Sequence, residues 1–149
     1  MMRRITSLLT FVAIGFVAGC QFALPTGYVK VEPGYEYRFR AVSADGSAIA
    51  LRTEENPENG DQAFWEKAVK SRLVDVRGYK LADRKEASCR AIKGVEMTFD
   101  YERKGVPYCY VVMLFVDGRR VHSIEIAGLK QKIEPELPAI KEAIGKWSL

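Results

Sequence analysis

Tyr108-Cys109-Tyr110-Val111-Val112-Met113-Leu114-Phe115-Val116 is an unbroken apolar run in the middle of a charged chain. Side chains alternate across a β-strand, so a strand with one wet face alternates apolar and polar residues. Here both sets are apolar: Tyr108, Tyr110, Val112, Leu114 and Val116 fall on one face, and Cys109, Val111, Met113 and Phe115 on the other. Such a segment belongs at the centre of a sheet covered on both sides. Lys104-Gly105-Val106-Pro107 before it and Asp117-Gly118 after it read as turns. Beyond them, Val95, Met97, Phe99 and Tyr101 alternate with Glu96, Thr98, Asp100 and Glu102, and Val121–Ala127 forms a further strand.

Further out, Tyr35, Tyr37 and Phe39 alternate with Glu36, Arg38 and Arg40, which predicts a half-buried strand. Asp45-Gly46 turns that strand into Ala48–Arg52, and Tyr79–Glu86 reads as another. Tyr28–Glu32 reads as a short edge strand. Asp61 is a good N-cap for a helix over Gln62–Val76, with Phe64, Trp65, Ala68, Val69, Leu73 and Val76 on one face and Gly78 as its stop. A second helix is expected over Glu136–Trp147, with Leu137, Ile140, Ala143, Ile144 and Trp147 as its stripe and prolines near its start. A sheet wet on one face would not hold the 108–116 run, and these two helices are available as cover. The expected fold is α+β, an antiparallel sheet of about six strands sandwiched between two helices.

In this order of features residues 35–147 resemble the PsbP-like superfamily, particularly its bacterial envelope members such as the DcrB-like proteins. The likeness rests on the Asp45-Gly46 turn, the helix with Phe64-Trp65, and Gly78-Tyr79-Lys80-Leu81. It extends through Tyr108-Cys109-Tyr110-Val111 to Glu125-Ile126-Ala127-Gly128 before the last helix. The resemblance implies an accessory, non-catalytic role in an envelope or membrane complex, and it supplies no site residues.

The chain has 149 residues, of which 48% are hydrophobic and 28% charged, which excludes collagen-like, mucin-like and wholly disordered classes and leaves room for one domain. Met1-Met2-Arg3-Arg4 is cationic, Ile5–Ala18 is apolar apart from Thr6, Ser7, Thr10 and Gly15, and Val17-Ala18-Gly19-Cys20 follows. That run falls short of the roughly 20 residues a membrane span needs and has the length of a signal peptide's apolar region. Together these features resemble a bacterial lipoprotein signal with its lipobox. The resemblance implies cleavage between Gly19 and Cys20 and acylation of the Cys20 thiol, palmitate among the chains. Several acyl chains, at about 0.8 kcal/mol per buried methylene, hold a domain on a bilayer. Gln21 stands where many such proteins carry an inner-membrane retention Asp, which in a cell with two membranes favours the outer one, facing the periplasm.

Residues 1–19 are thus expected to be the signal peptide, 20–34 the lipidated N-terminus and tether, and 35–149 the domain. A free tether of that length would reach about 20 Å. Losing Arg3 and Arg4 leaves 21 basic residues against 19 acidic, a charge of only +2. With no basic stripe carrying interleaved aromatics, nucleic acid is not an expected partner. The expected partners are the bilayer, through acylated Cys20, and an envelope protein.

Few residues carry chemistry. His122, the only histidine, has no nucleophile in reach if Val121–Ala127 pairs with 108–116, because Cys109 then lies about 20 Å away along the strand. No CxxC or HxxxH spacing supports a metal, and no cofactor is expected. Glu54, Glu55, Glu58 and Asp61 lack the ligand pattern of a calcium loop and read as a solvated acidic loop. Cys89 and Cys109 remain. An oxidising compartment favours a disulfide between them, and the inferred strand register opposes it. Arg72 falls within the apolar arc of the first helix, where it either pairs with Asp75 or, with Trp65, contacts a ligand or partner. The basic run Arg77, Lys80, Arg84, Lys85, Arg90 and Lys93 is a solvated face, or else a contact for anionic headgroups or an acidic partner. The expected function is a membrane-tethered, non-catalytic binding or scaffold lipoprotein of the cell envelope. The alternative, a carrier or sensor of a small apolar ligand or lipid, requires an enclosed apolar cavity of several hundred Å3.

Overall fold

Among the described residues, alternation resolves into seven strands: β1 (Tyr28–Lys30), β2 (Phe39–Ser43), β3 (Ala48–Glu55), β4 (Lys80–Cys89), β5 (Ile92–Arg103), β6 (Val106–Asp117) and β7 (Arg120–Leu129). The computed structural model describes residues 22–149; Gly19 and Cys20 lie outside the described residues. The helices are α1 (Gln62–Ser71), prolonged by a π turn over Arg72–Val76, and α2 (Lys130–Ile144). The strands form one antiparallel sheet in the order β1-β2-β3-β7-β6-β5-β4. The doubly apolar run lies within β6, an inner strand between β7 and β5.

Each face has its own core. Cys109, Val111, Met113 and Phe115 join Phe39, Ile49, Leu51, Ile124 and Ile126 beneath Ile133, Ile140, Ile144 and Trp147 of the α2 segment. On the other face Val112 and Leu114 join Val95, Met97, Phe99 and Val121 beneath Leu73, with Trp65 and Val69 of α1 packed against them. Two strand-borne carboxylates fasten α2 to β5: Asp100 to Lys130 at 2.7 Å, and the buried Glu96 to Lys141. Where β5 meets β6, a Cβ on Gly94 would come within 2.2 Å of the Leu114 carbonyl oxygen and 2.5 Å of the Phe115 ring. Glycine therefore lets the two strands and that ring close together.

Three boundaries differ from expectation, each for a physical reason. The strand expected from Tyr35 begins at Phe39, because Gly34, at φ +70°, turns the chain just ahead. Tyr35 is fully exposed, and Tyr37 lies under the Arg52 guanidinium. Helix α2 starts at Lys130 rather than Glu136, with Pro135 and Pro138 inside it. Both prolines are exposed, as are Gln131 and Glu134, whose carbonyls lose their helical partners, so water replaces the missing bonds. β1 is the short edge strand expected within Tyr28–Glu32, and it brings the sheet to seven strands where about six were expected.

The expected tether is the third difference. From Phe22 onward it is packed: the Phe22 ring lies 4.8 Å from Phe39 and 5.0 Å from Trp147. Trp147 Nε1 donates to the Ala23 carbonyl at 2.8 Å, and the Tyr28 hydroxyl donates to Glu136 at 2.8 Å. Phe22-Ala23-Leu24 is too short to show a period, so only its apolar content hinted that it would be buried.

Candidate functional site

Period two along β3 and β7 places Arg52 and Glu54 on the same sheet face as Ser123 and Glu125, with Arg52 opposite Ser123 and Ala50 opposite Glu125. Helical spacing sets Trp65, Ala68, Val69 and Arg72 facing them across a notch of about 120 Å3. The structure thus brings together Trp65 and Arg72, the two residues singled out on α1 and its extension. It adds Arg52, Ser123 and Glu125, which the sequence reading missed. A signal existed: Arg52 and Glu125 are charges at inward-pattern positions of otherwise apolar strands.

The notch is built by side chains that hold one another. Trp65 Nε1 donates to Asn56 Oδ1 at 3.1 Å, which fixes the indole. The buried Asn56 also donates to the carbonyls of Gly60 and Gly118, tying the loop before α1 to the β6–β7 turn. Arg52 stacks 5.0 Å above the Tyr37 ring, donates to its hydroxyl at 3.3 Å, and lies 3.5 Å from Glu36 and 4.0 Å from Glu125. Its buried Nε has no partner among the described residues. Glu125 accepts from the Tyr110 hydroxyl at 2.7 Å; burial and that carboxylate push the phenol well above its ordinary range, so it remains a donor. Arg72 is exposed and does not pair with Asp75, which instead accepts from Ser71 at 2.7 Å. The π turn widens the helix here and swings Asp75 away from the i,i+3 position an α-helix would give it.

Chemically, the notch offers guanidinium, hydroxyl and carboxylate groups beside an indole. Ligand pockets usually occupy about 300–1,000 Å3, so this notch suits one partner side chain rather than a free ligand. The larger recesses are open grooves with charged walls. One of about 600 Å3 is bordered by Gln62, Arg84, Glu86 and Lys93, one of about 450 Å3 by Glu55, Asn59, Arg119 and Arg120, and one of about 420 Å3 by Lys80, Asp100, Tyr101 and Lys130. None of the three is the enclosed apolar cavity that a carrier requires.

The remaining candidates lie apart. His122 faces the α2 side, 99% buried, with Nδ1 3.0 Å from Thr53 Oγ1. Opposite it stands Phe115, and Cys109 is six residues further along β6. Cys89 and Cys109 are both free and buried, so the disulfide is absent. Cys89 pairs with Ile92 and Cys109 with Asp100, which separates them by eight residues of β5, about 27 Å at strand rise. Burial pushes the Cys109 thiol up to about 11 and raises that of Cys89, so both stay protonated. Of the basic run, Arg84 forms two 2.9 Å hydrogen bonds to Glu66, and Lys85 lies 3.4 Å from Glu96.

No family model and no curated protein matches the chain. Solved structures do. LpqN of Mycobacterium tuberculosis, involved in cell envelope biogenesis, aligns with a TM-score of 0.60 at 11% identity over 82% of this chain and 79% of its own. Cyanobacterial PsbP (CyanoP) of Synechocystis sp. PCC 6803 aligns at 0.58 and 9% identity over 93% of this chain and 98% of its own. PA94 of Pseudomonas aeruginosa, of unknown function, aligns at 0.54 and 13% identity over 82% and 81%. At these identities the likeness speaks for the fold alone: the described residues share the α+β fold of these structures.

Proposed function

We propose that the protein is a membrane-tethered, non-catalytic binding or scaffold lipoprotein of the bacterial cell envelope, anchored through acylated Cys20 and facing the periplasm from the outer membrane. The observation that carries this reading is the register of cationic start, apolar run and Val17-Ala18-Gly19-Cys20 directly ahead of a folded domain. Two features support the non-catalytic part. The single histidine and both remaining thiols are buried and distant from one another, and Ser123, the serine of the polar notch, lies on the opposite sheet face from His122, so no imidazole stands beside its hydroxyl. The shared fold of LpqN, whose own role is in envelope biogenesis, supports the envelope setting. A partner would seat a side chain between Trp65, Arg52 and Arg72.

The test is metabolic labelling with radioactive palmitate, paired with fractionation of wild type and Cys20→Ala. Wild type should carry label and sediment with membranes, and Cys20→Ala should lose both. Unlabelled wild-type protein in the soluble fraction would overturn the proposal. A photo-crosslinking residue at position 72 should then capture an envelope protein from intact cells, and should capture less of it in Cys20→Ala.

A further inference from the structure

Chain geometry limits how far the domain can stand from its anchor. Only Gln21 lies between Cys20 and Phe22, and a chain reaches at most about 3.6 Å per residue, so the Cys20 Cα falls within about 7 Å of the Phe22 Cα. Phe22 is not free to move away, because it is wedged between Phe39 and Trp147. Those residues mark one end of the sheet, where β2 begins, β4 ends and α2 gives out. An acyl group on Cys20 therefore brings this end to the headgroups, and no 20 Å tether intervenes.

Cations surround the anchor point. The Arg38 guanidinium lies 6.0 Å from the Phe22 ring centroid. Arg90, at the tip of the β4–β5 turn with φ +51°, donates to the Lys146 carbonyl at 3.1 and 3.3 Å, one residue from Trp147. All three of Arg38, Arg90 and Lys146 are exposed. Among the described residues neither Arg38 nor Arg90 has a carboxylate at ion-pair distance, and Lys146 meets only Glu142, at 3.2 Å on the solvent side of α2. The turns at the opposite end, Ala44–Gly46 and Arg103–Val106, lie a strand length away.

We infer that this end is a bilayer-docking surface, in which Arg38, Arg90 and Lys146 engage the phosphates of anionic lipid headgroups around the acylated Cys20. The inference rests on the lipoprotein reading. It adds a fixed orientation, with the notch at Trp65 and Arg72 on the sheet face away from α2 and, through Arg52 beside Glu36 and Tyr37, bordering the docked end. Each cation near an anionic surface strengthens attachment about fivefold, and the effect fades within a Debye length, so nearness to the anchor is what makes these three count.

The experiment uses the acylated protein in vesicles of phosphatidylcholine alone or with phosphatidylglycerol, read by amide hydrogen exchange. Residues 36–38, 90–91 and 145–149 should exchange several-fold more slowly with phosphatidylglycerol present, and residues 44–46 and 103–106 should not change. Arg38→Gln/Arg90→Gln/Lys146→Gln alters only exposed side chains, and it should abolish the difference between the two lipids. Equal exchange in both lipids, or slowing at 44–46 and 103–106 instead, would overturn the docking surface. The mass of the N-terminal peptide separates the two failures. An unacylated Cys20 defeats the lipoprotein reading and this inference together, whereas an acylated Cys20 with uniform exchange defeats this inference alone.

Discussion

His122 sits at 1% exposure with its ring held against Thr53. Burial, helped by Arg38 and Arg120 and opposed by Asp117, pulls its pKa below the ordinary value. In the unfolded chain the imidazole titrates near about 6.5. Below that pH the unfolded chain takes up a proton that the folded chain refuses, so stability falls as pH drops from about 7.5 until the lowered folded value is passed. The urea midpoint of wild type should decline between pH 7.5 and 5.5, and that of His122→Gln should decline less. Identical slopes would show that His122 does not carry the effect. The sequence made the residue conspicuous as the sole histidine. Its buried, non-catalytic setting followed only from which strand lay opposite.

At the scale of elements, Asn56 joins three pieces of structure. Its side chain bonds the Gly60 backbone on both sides, the Gly118 carbonyl of the β6–β7 turn, and the Trp65 indole. Replacing it by Ala strands several buried polar groups, each costing about 1–3 kcal/mol when left unpaired. Water can reach part of the loop, so Asn56→Ala should cost about 2–4 kcal/mol in urea unfolding. It should also red-shift Trp65 fluorescence as the indole loses its anchor. A loss below 0.5 kcal/mol, within the range of an ordinary surface change, would reduce Asn56 to a loop residue. The elements themselves were largely legible. Alternation located β2, β3, β5, β6 and β7 to within a few residues, and the Asp61 cap does accept from Phe64 N at 2.8 Å. Helix α2 was read six residues short because prolines mark helix starts in most sequences. Their exposure, which makes them tolerable inside this helix, is a property of packing.

For the whole molecule, the N-terminal segment decides how the domain relates to a membrane. If Phe22 works as a strap across Phe39 and Trp147, Phe22→Ala should destabilise the fold. A fully buried Phe costs about 3–5 kcal/mol on truncation, and Phe22 is only partly buried, so about 1–3 kcal/mol is expected. Thermal unfolding of the mature chain checks this; no change would restore the segment as a loose tether, and with it the freedom of the domain to stand away from its anchor.

The sequence by itself determined the layered α+β plan, the central place of the 108–116 run, and the address-like first twenty residues. These are written in local periods and contiguous motifs. Only the tertiary structure decided that residues 22–30 belong to the domain, that Cys89 and Cys109 stand apart, and that Arg52, Glu125, Trp65 and Arg72 meet. Those outcomes depend on strand order and register between segments far apart in the chain, which one-dimensional alternation does not encode.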